Sequence, residues 1–418
     1  MGQIVLRHIR QIATPEGKKE RKGREMNQLR LIEDGAIWIE EDRIRMVGSD
    51  DEVMAALRET DDIEWLDGSG KCAIPGFVDA HTHFLFAGNR AEEFDDRLAG
   101  VPYLELLARG GGICSTMQAV RDASEEDLFY IGEEILRDML RFGITTVEGK
   151  SGYGLNQEDE LKQLRVMRRL DDAQPLDIVS TYLGAHAVPP EYQDDSDGYV
   201  DFMIEQMLPL VKKEGLADFV DVFCEQGVFS LEQSRRILTR AKALGFALKL
   251  HADEMSSLGG AGLAHELGAV SADHLLSISK EDIARLSTGD TKAVLLPATA
   301  FCMRCPYAPV RELIEHGVAV ALASDFNPGS CFTYSTALLF ALAVIQMRLT
   351  SAETLTAMTL NGAAALNRAD GIGSIEAGKK ADIVLLAAPD YRFLVYQTGM
   401  NLVQQVIKAG KIVWNSPQ

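Results

Sequence analysis

Eight short apolar stretches, rich in β-branched residues and each followed by polar side chains, recur along the chain between Ala73 and Asn327. Continuous apolar strands that alternate with helices are typical of a parallel sheet covered by helices. Eight such strands predict an α/β protein built on a closed (β/α)8 TIM barrel. The predicted strands are Ala73–His83, Gly143–Lys150, Asp177–His186, Phe219–Glu225, Phe246–Glu254, Val270–His274, Ala293–Thr299 and Val318–Asn327. The predicted helices between them include Glu125–Phe142, Glu158–Leu170, Leu231–Leu244 and Lys280–Leu286.

The two ends of the chain differ from this middle part. Residues 27–48 contain a hairpin signal with an acidic turn. The C-terminal stretch Gly373–Trp414 contains two further β-type runs, Ala381–Leu386 and Gln405–Val413. Two unrelated β appendages would give the same pattern, but we expect both ends to meet in one small β-sandwich domain beside the barrel.

These expectations divide the chain into three parts. Residues 1–72 are predicted to form the N-terminal part of the composite β-sandwich, 73–370 the barrel, and 371–418 the C-terminal part of the sandwich. The polar and basic segment Arg10–Arg24 is predicted to be an exposed loop rather than a binding tract.

The charge balance restricts the partners that the chain can have. Its formal net charge is −20, and both nucleic acids and anionic membranes require a basic surface. We therefore expect no nucleic acid and no membrane as a partner, whereas a small anionic substrate needs only a local positive group. No stretch approaches about 20 uninterrupted apolar residues, so we expect a cytoplasmic protein.

The six cysteines include one pair with C-x-x-C spacing, Cys302 and Cys305. A structural zinc site would need a second such pair or nearby histidines, and the sequence has neither next to them. A disulfide framework is improbable in a chain of this length. We therefore expect two ordinary reduced cysteines in a loop.

The segment Asp79-Ala80-His81-Thr82-His83 ends the first predicted strand. Side chains two residues apart on an extended chain point the same way, so both imidazoles can reach one metal ion. In a (β/α)8 enzyme the catalytic groups lie at the carboxyl ends of the strands. Further polar residues stand at the ends of later predicted strands, namely His186, Glu225, His251, Glu254, Asp273, His274, Asp325 and Asn327.

Four of these residues are predicted metal ligands: His81, His83, His251 and Asp325. Three imidazoles and one carboxylate suit a single divalent or trivalent transition metal, and zinc and iron both accept this set. A metal held in this way makes water reactive at neutral pH. A buried, hydrogen-bonded imidazole would explain any one of these histidines, but five of the chain's eight histidines lie at strand ends.

The sequence resembles the amidohydrolase superfamily. The resemblance runs from Pro75-Gly76-x-x-Asp79-x-His81-x-His83 to the Ser324-Asp325 pair, and it includes the segment Gly373–Asp382. It implies a metal-dependent catalytic barrel with a β-sandwich made from both chain ends. It also implies that His274 lies near the metal without ligating it and orients or activates the water, and it makes a homodimer a reasonable expectation.

A closer resemblance is to the family of cyclic amidohydrolases that act on 4-imidazolone-5-propanoate in histidine degradation. Six separate segments in the same order carry it: Phe86–Arg90, Arg109–Ile113, Lys150–Gly154, Tyr182–His186, His251–Glu254 and Ser324–Ser330. The resemblance implies hydrolysis of the ring amide to N-formimidoyl-L-glutamate. One departure is Gly149, where the family usually has a larger residue.

The closer resemblance also implies roles for individual residues. Arg90 would hold the substrate carboxylate, because a guanidinium offers a two-pronged donor, although a surface ion pair with Glu92 or Glu93 would also explain it. Among the other implied substrate contacts are hydroxyl groups, ring contacts and pocket-lining residues: Tyr103, Tyr153, His186, Glu254, Asn327, Gly329 and Ser330.

Three catalytic residues follow from the same resemblance. His274 would place the nucleophile and stabilise the oxyanion. Asp325 would carry the proton to the leaving ring nitrogen. Glu254 could instead perform a proton transfer at the ring, and the sequence does not divide these roles.

Three alternatives stay open at this point. The first is another hydrolase on the same barrel, such as a nucleobase aminohydrolase or a dipeptidase, against which Arg90 and the Gly152–Gly154 loop favour an anionic substrate. The second is a two-metal site, which usually has a bridging lysine at the fourth strand; here that strand ends in Cys224-Glu225, so Glu225 would have to be the bridge. The third is a non-catalytic scaffold, which commonly loses metal ligands, whereas all four are present here.

Overall fold

The computed structural model describes residues 2–57, 63–101 and 111–417 of the chain. Two eight-stranded sheets organise these residues. The strands, in chain order, are β1 (Gln3–Thr14), β2 (Arg30–Glu40), β3 (Arg43–Ser49), β4 (Ile63–Asp67), β5 (Cys72–Pro75), β6 (Phe77–Asp79), β7 (Ile144–Lys150), β8 (Asp177–Ala185), β9 (Phe219–Cys224), β10 (Ala247–Ala252), β11 (Ser271–His274), β12 (Lys292–Leu295), β13 (Val320–Leu322), β14 (Ile383–Leu386), β15 (Val403–Lys408) and β16 (Lys411–Asn415).

Strands β6 to β13 form the barrel. They pair in parallel and in chain order, as expected when each strand is followed by a helical crossover. The ring closes just beyond β6 and β13, where Thr82 forms a parallel bridge with Phe326 and the backbone N–H of Asp325 donates to the His81 carbonyl over 3.0 Å. The predicted TIM barrel is confirmed, and its closure brings two predicted metal-binding segments side by side.

Helices surround the barrel, and polar caps fix where several of them begin. Ser124 accepts a hydrogen bond from the Asp127 backbone while the Asp127 side chain accepts one from the Ser124 backbone. This reciprocal cap starts a helix at Glu125. The helices are Asp50–Ala56, Ala91–Leu98, Ile113–Asp122, Glu125–Arg141, Gln157–Ala173, Ser196–Phe202, Leu208–Glu214, Leu231–Ala243, Gly260–Leu267, Lys280–Leu286, Pro297–Cys302, Val310–Glu315, Thr336–Ala341, Ser351–Met358, Leu360–Ala365 and Phe393–Tyr396.

Shorter helical segments complete the architecture. They are the 3-10 turns Gly23–Asn27 and Pro190–Tyr192 and the π-helical segments Met203–Met207 and Leu342–Gln346. Among the described residues, no helix combines the length and the apolar character that crossing a membrane requires.

The second sheet contains strands from both ends of the chain. Its order is β16-β15-β14-β5-β1-β2-β3, with β4 paired to β1. Strand β5 joins the two ends, because it pairs in parallel with β1 and antiparallel with β14. Side chains from both ends, among them Ile12, Ile37, Ile383 and Ile407, share one apolar cluster. The predicted composite β-domain is therefore confirmed, and two unrelated appendages are excluded.

The first predicted strand, Ala73–His83, was wrong as a single element. The structure divides it at Gly76, so that β5 lies in the composite sheet and β6 in the barrel. A Cβ atom on Gly76 would lie 2.3 Å from the Thr145 hydroxyl oxygen, which explains why the chain passes between the sheets at a glycine. The apolar run is continuous because both halves are buried, although in different sheets.

The segment Arg10–Arg24 is not the exposed loop that we predicted. Its first residues belong to β1, and Gln11 to Thr14 are buried. Beyond the strand, the backbone N–H of Gly17 donates to Glu376 and that of Arg21 to Asn361, each over 2.8 Å. The basic side chains made the segment look solvated, whereas its backbone is tied to the C-terminal part of the chain.

Candidate metal centre and active site

The four predicted metal ligands converge at the carboxyl ends of the barrel strands, where all of them are buried. The Nε2 atoms of His251 and His83 lie 3.4 Å apart. Oδ1 of Asp325 lies 3.6 Å from Nε2 of His81 and 3.6 Å from Nε2 of His83. An ion about 2.1 Å from each of four tetrahedral ligands holds the ligand atoms about 3.4 Å apart. These three distances match the spacing that one transition metal requires, and the three histidines together lie within 4.8 Å of one another.

Carboxylates lie behind two of these histidines. Nδ1 of His81 lies 2.6 Å from Asp273, and Nδ1 of His251 lies 2.8 Å from Asp221. A carboxylate only accepts, so Nδ1 of His81 carries the proton and its Nε2 offers a lone pair to the cluster, whereas the contact of His251 with Asp221 is a close ion pair without hydrogen-bond geometry. Nε2 of His81 is buried without a hydrogen-bond partner among the described residues. A buried acceptor without a hydrogen-bond partner is consistent with a metal ligand.

Burial also controls the charge of the histidines. It lowers the pKa of His81 and of His83 well below the usual range, so both rings are neutral. Burial likewise lowers the pKa of His251, but Asp221 outweighs this and raises it above its ordinary value. A metal ion therefore competes with a proton at His251.

Asp325 adopts a left-handed backbone conformation, with φ of 53°. Thr299 donates to its Oδ2 over 2.6 Å, which leaves Oδ1 facing the histidines. Burial raises the pKa of Asp325 to about 6. A non-glycine residue in this conformation is costly, so surrounding contacts must hold it.

His274 lies beside the cluster, also with a left-handed backbone. One of its ring nitrogens is within 4.8 Å of ligand atoms of His81 and Asp325, and its Nδ1 is 3.6 Å from Oε1 of Glu254. Burial, with a smaller contribution from Asp325, raises the pKa of Glu254 to about 8. Glu254 is therefore largely protonated at neutral pH and can donate a proton.

The loop that carries Glu254 is held from two sides. Asp253 accepts four backbone N–H groups at the start of the helix Gly260–Leu267. Glu225 accepts the backbone N–H groups of Gln226 and Met255, over 2.8 and 2.9 Å. The oxygens of Glu225 are thus used to build this loop, which argues against the alternative that Glu225 bridges two metals.

Arg90 forms the ion pair that we had weighed as the alternative to substrate binding. Its Nε donates to Glu93 over 2.9 Å, and Nη2 contacts the same carboxylate. The remaining nitrogen, Nη1, lies against Gly329, where an added Cβ atom would be 2.3 Å away. Glu93 therefore fixes one edge of the guanidinium while Nη1 stays directed at the loop after β13.

Tyr153 and His186 lie beside the histidine cluster. The Tyr153 ring centroid is 6.0 Å from that of His83 and 5.3 Å from that of His186. Burial and then Asp325 raise the pKa of the Tyr153 hydroxyl, while Arg90 opposes this. His186 stacks on His83 at 4.8 Å, and its Nδ1 lies 3.1 Å from the Gly152 carbonyl. Because that carbonyl only accepts, Nε2 of His186 is left as a free acceptor.

The predicted pocket residues after β13 form a compact loop. The Asn327 side-chain oxygen accepts the backbone N–H groups of Gly329 and Ser330, over 2.8 and 2.7 Å, and its amide donates to the Asp325 carbonyl over 2.7 Å. Asn327 therefore shapes the loop rather than presenting its amide outward. Tyr103, the other predicted hydroxyl contact, lies outside the described residues, as do the first two residues of the Arg109–Ile113 segment.

Several polar residues near the site were not assigned roles from the sequence. Thr299 is one, and five charged side chains inside the barrel are the others: Glu148, Lys150, Asp221, Lys249 and Asp273. The sequence does contain a signal for these five charged residues, because charged side chains at alternate positions interrupt otherwise apolar strands. Gly149, the departure from the family pattern, faces Phe84, whose ring would be 2.6 Å from an added Cβ atom.

The cysteines are all free, as we expected for Cys302 and Cys305, although Cys302 is the last residue of a helix rather than part of a loop. The Cys305 thiol donates to the Met303 carbonyl over 3.6 Å. Among the described residues, no group with metal-binding spacing includes a cysteine.

Comparisons with known proteins place this geometry in context. A model of the amidohydrolase family matches residues 72–413. An imidazolonepropionase of Clostridium tetani is 50% identical over 413 residues, covering 99% of this chain and 98% of the relative. An imidazolonepropionase of Parabacteroides distasonis is 52% identical over 410 residues, covering 98% of both chains.

Solved structures share the fold at much lower identity. The guanine deaminase of E. coli has a TM-score of 0.75 at 17% identity and covers 100% of both chains. An adenosine deaminase from Xanthomonas campestris, solved with bound zinc, has a TM-score of 0.72 at 20% identity, covering 98% of this chain and 92% of that one.

Proposed function

The chain belongs to the amidohydrolase family and, within it, to the imidazolonepropionases, and from this membership we propose that it hydrolyses the ring amide of 4-imidazolone-5-propanoate. The product is N-formimidoyl-L-glutamate, a step in histidine degradation. The observation that carries the proposal is the convergence of His81, His83 and His251, whose nitrogens lie within 4.8 Å of one another, with Asp325 Oδ1 3.6 Å from two of them. The near full-length similarity to imidazolonepropionases supports the substrate.

We propose that His81, His83, His251 and Asp325 hold one transition metal, either zinc or iron. When bound, such a metal supplies Lewis acidity and makes a water molecule nucleophilic at neutral pH. His274 is uncharged, because burial lowers its pKa well below the usual range, so it can accept a hydrogen bond from the attacking water. This neutral ring beside the cluster would orient the water toward the ring carbonyl.

The substrate would extend from the cluster toward Arg90. The carboxylate tail is proposed to contact Nη1 of Arg90 and the Tyr153 hydroxyl, at the loop formed by Asn327, Gly329 and Ser330. The imidazolone ring would then lie between His186, whose Nε2 is a free acceptor, and Glu254. Because Nε and Nη2 of Arg90 are held by Glu93, Nη1 is the guanidinium nitrogen that is left for the carboxylate.

Hydrolysis adds water across the ring C–N bond, so one proton must reach the leaving nitrogen. Oδ1 of Asp325 faces the cluster while Thr299 holds the other oxygen, and we propose that Oδ1 carries this proton. Glu254, with its pKa raised to about 8, is the alternative donor at the ring. The bond that breaks is the amide C–N bond, and the products carry a carboxylate and a formimidoyl N–H.

One preparation can test this proposal. We expect purified protein to contain one equivalent of zinc or iron per chain, to consume the absorbance of imidazolonepropionate and to release N-formimidoylglutamate. Guanine and adenosine serve as matched controls, and we expect no ammonia from either. Metal-loaded protein that leaves imidazolonepropionate unchanged would refute the proposed function.

The remaining expectations concern partners and compartment. We propose that the partner is the small anionic substrate and that the enzyme works in the cytoplasm, where its six free cysteines would stay reduced. The homodimer stays a prediction, which light scattering on the purified protein would test.

A further inference from the structure

Five charged side chains lie inside the barrel directly behind the candidate metal ligands, and we call them the barrel charge network. Its members are Glu148 and Lys150 on β7, Asp221 on β9, Lys249 on β10 and Asp273 on β11, and each has at most 1% of its surface exposed. The interior of such barrels is normally filled by Val, Ile and Leu. Five buried charges at this position therefore need an explanation.

Two lysines hold the network together. Lys150 Nζ lies 2.7 Å from Asp221 and 2.9 Å from Glu148. Lys249 Nζ lies 2.6 Å from Glu148 and donates to the Ala80 carbonyl over 2.9 Å. Both ammonium groups also face Asp273, at 3.7 and 3.9 Å. Each carboxylate of the network is thus in contact with at least one lysine.

Stability alone is a weak reason to keep such a network. Taking charges out of water costs several kcal/mol each, and well-packed apolar residues often serve as well or better. The charges of the three carboxylates and the two ammonium groups also do not balance. Two of the carboxylates, however, are the ones that contact the Nδ1 atoms of His81 and His251.

We propose that Lys150 and Lys249 are positioning residues of the metal centre. They hold Asp221 and Asp273 in place, and these carboxylates in turn orient His251 and His81 so that both Nε2 atoms meet at the ion. The inference rests on the proposed function, because it assumes that the four predicted ligands hold a metal.

The same lysines also occupy the position of a possible second cation. His81, Glu148 and Asp273 form a second group of ligand-type atoms within 4.8 Å of one another. Lys249 Nζ is 2.6 Å from Glu148 in this group, and Lys150 Nζ is 2.9 Å from it. The ammonium groups therefore supply the positive charge there, which agrees with a single metal and with the engagement of Glu225 elsewhere.

The test compares two buried lysines. Lys150→Met removes the contact with Asp221, and Lys408→Met is the matched control, because Lys408 is equally buried between Asp177 and Asp382, at 2.8 and 2.7 Å, in the composite sheet. Zinc affinity is measured by chelator competition on the metal-free proteins, and thermal unfolding is followed in parallel. We expect both variants to lose stability but only Lys150→Met to bind zinc at least about tenfold more weakly.

A second variant protects the test against poor folding of Lys150→Met. Glu148 forms no hydrogen bond with a proposed metal ligand, and Glu148→Gln keeps the volume of its side chain. The substitution removes the negative charge that pairs with both lysines. We expect it to weaken zinc binding several-fold and to alter the visible spectrum of the cobalt-substituted protein. Unchanged zinc affinity in these variants, or an equal loss in Lys408→Met, would overturn the inference alone. A wild-type protein that binds no metal would overturn the proposed function as well.

Discussion

Thr299 donates a 2.6 Å hydrogen bond to Oδ2 of Asp325, and both side chains are buried. The bond links the helix Pro297–Cys302, which follows the seventh barrel strand, to the residue that closes the barrel after the eighth. It leaves a single Asp325 oxygen directed at the histidines. The orientation of the only predicted carboxylate ligand therefore depends on a neutral hydroxyl from the helix that follows a neighbouring strand.

Replacing Thr299 by valine tests this dependence with almost no change in volume. A hydrogen bond to a charged group contributes about 1.5–3 kcal/mol, and outer partners of metal ligands affect affinity about 10–100-fold. We expect Thr299→Val to weaken zinc binding about tenfold in a chelator competition. Thr356→Val is the control, because Thr356 is equally buried and donates to the Met26 carbonyl over 2.8 Å, and we expect its zinc affinity to equal that of wild type. Equal affinities in both variants would show that Thr299 does not orient the ligand.

The architecture was largely predictable because its signals are local. The helix Lys280–Leu286 has the predicted bounds, and the predicted Leu231–Leu244 ends one residue earlier, at Ala243. Apolar periodicity and serine caps determine such elements from neighbouring residues alone. Periodicity does not reveal which sheet a buried strand joins, which is why Ala73–Pro75 was wrongly predicted to belong to the barrel.

The site was predictable only in part, and for a related reason. Histidines at strand ends stand out because the residue type is rare, whereas Lys249 and Asp221 are common residues whose role depends on which face of the strand meets the barrel interior. Contacts such as that of Glu225 with Met255 join positions 30 residues apart and have no local signature. Arg90 shows a further limit of the sequence. The ion pair with Glu93 and a position at the pocket loop were treated as alternatives, whereas Arg90 pairs with Glu93 and also lies against Gly329.

His274 is predicted to act on the reaction rather than on the metal. We expect His274→Ala to keep its metal and to lose at least about 100-fold in kcat, because a general acid–base group contributes about 10²–10⁴-fold. His316→Ala is the control, since His316 is exposed and its Nδ1 lies 2.8 Å from the Glu312 carbonyl oxygen. Metal content and steady-state rates are measured on the same samples. A variant with full turnover would remove His274 from the mechanism.

The raised pKa of Glu254 predicts how the metal-free protein responds to pH. Its pKa is about 8 in the folded chain against about 4.3 in an unfolded one, so the folded state binds the extra proton between these values. The stability contributed by this group is therefore complete below about pH 4 and is lost as the pH rises through 8.

Glu254→Gln isolates this contribution. We expect the free energy of unfolding of the metal-free protein to fall between pH 5 and 8 less steeply in the variant, by up to about 1.4 kcal/mol per pH unit. Denaturant unfolding at several pH values measures the slope. Glu214→Gln, at an exposed ion pair with Arg165, should leave it unchanged. Identical slopes in Glu254→Gln and wild type would mean that Glu254 is ionised throughout.

Gly329 is predicted to matter because of the side chain that it accommodates. A Cβ atom there would lie 2.3 Å from Nη1 of Arg90, and its φ lies outside the left-handed region, so alanine is tolerated by the backbone. We expect Gly329→Ala to displace the guanidinium and to raise KM for imidazolonepropionate about tenfold, with kcat and thermal stability nearly unchanged. Gly371→Ala, whose added Cβ atom would lie at an ordinary contact distance of 3.8 Å from the Arg368 carbonyl oxygen, should keep the wild-type KM. Arg90→Ala should raise KM further, because the donor itself is lost. If Arg90→Ala leaves KM unchanged, the carboxylate is bound elsewhere, and the contact between Arg90 and Gly329 serves only to order the loop.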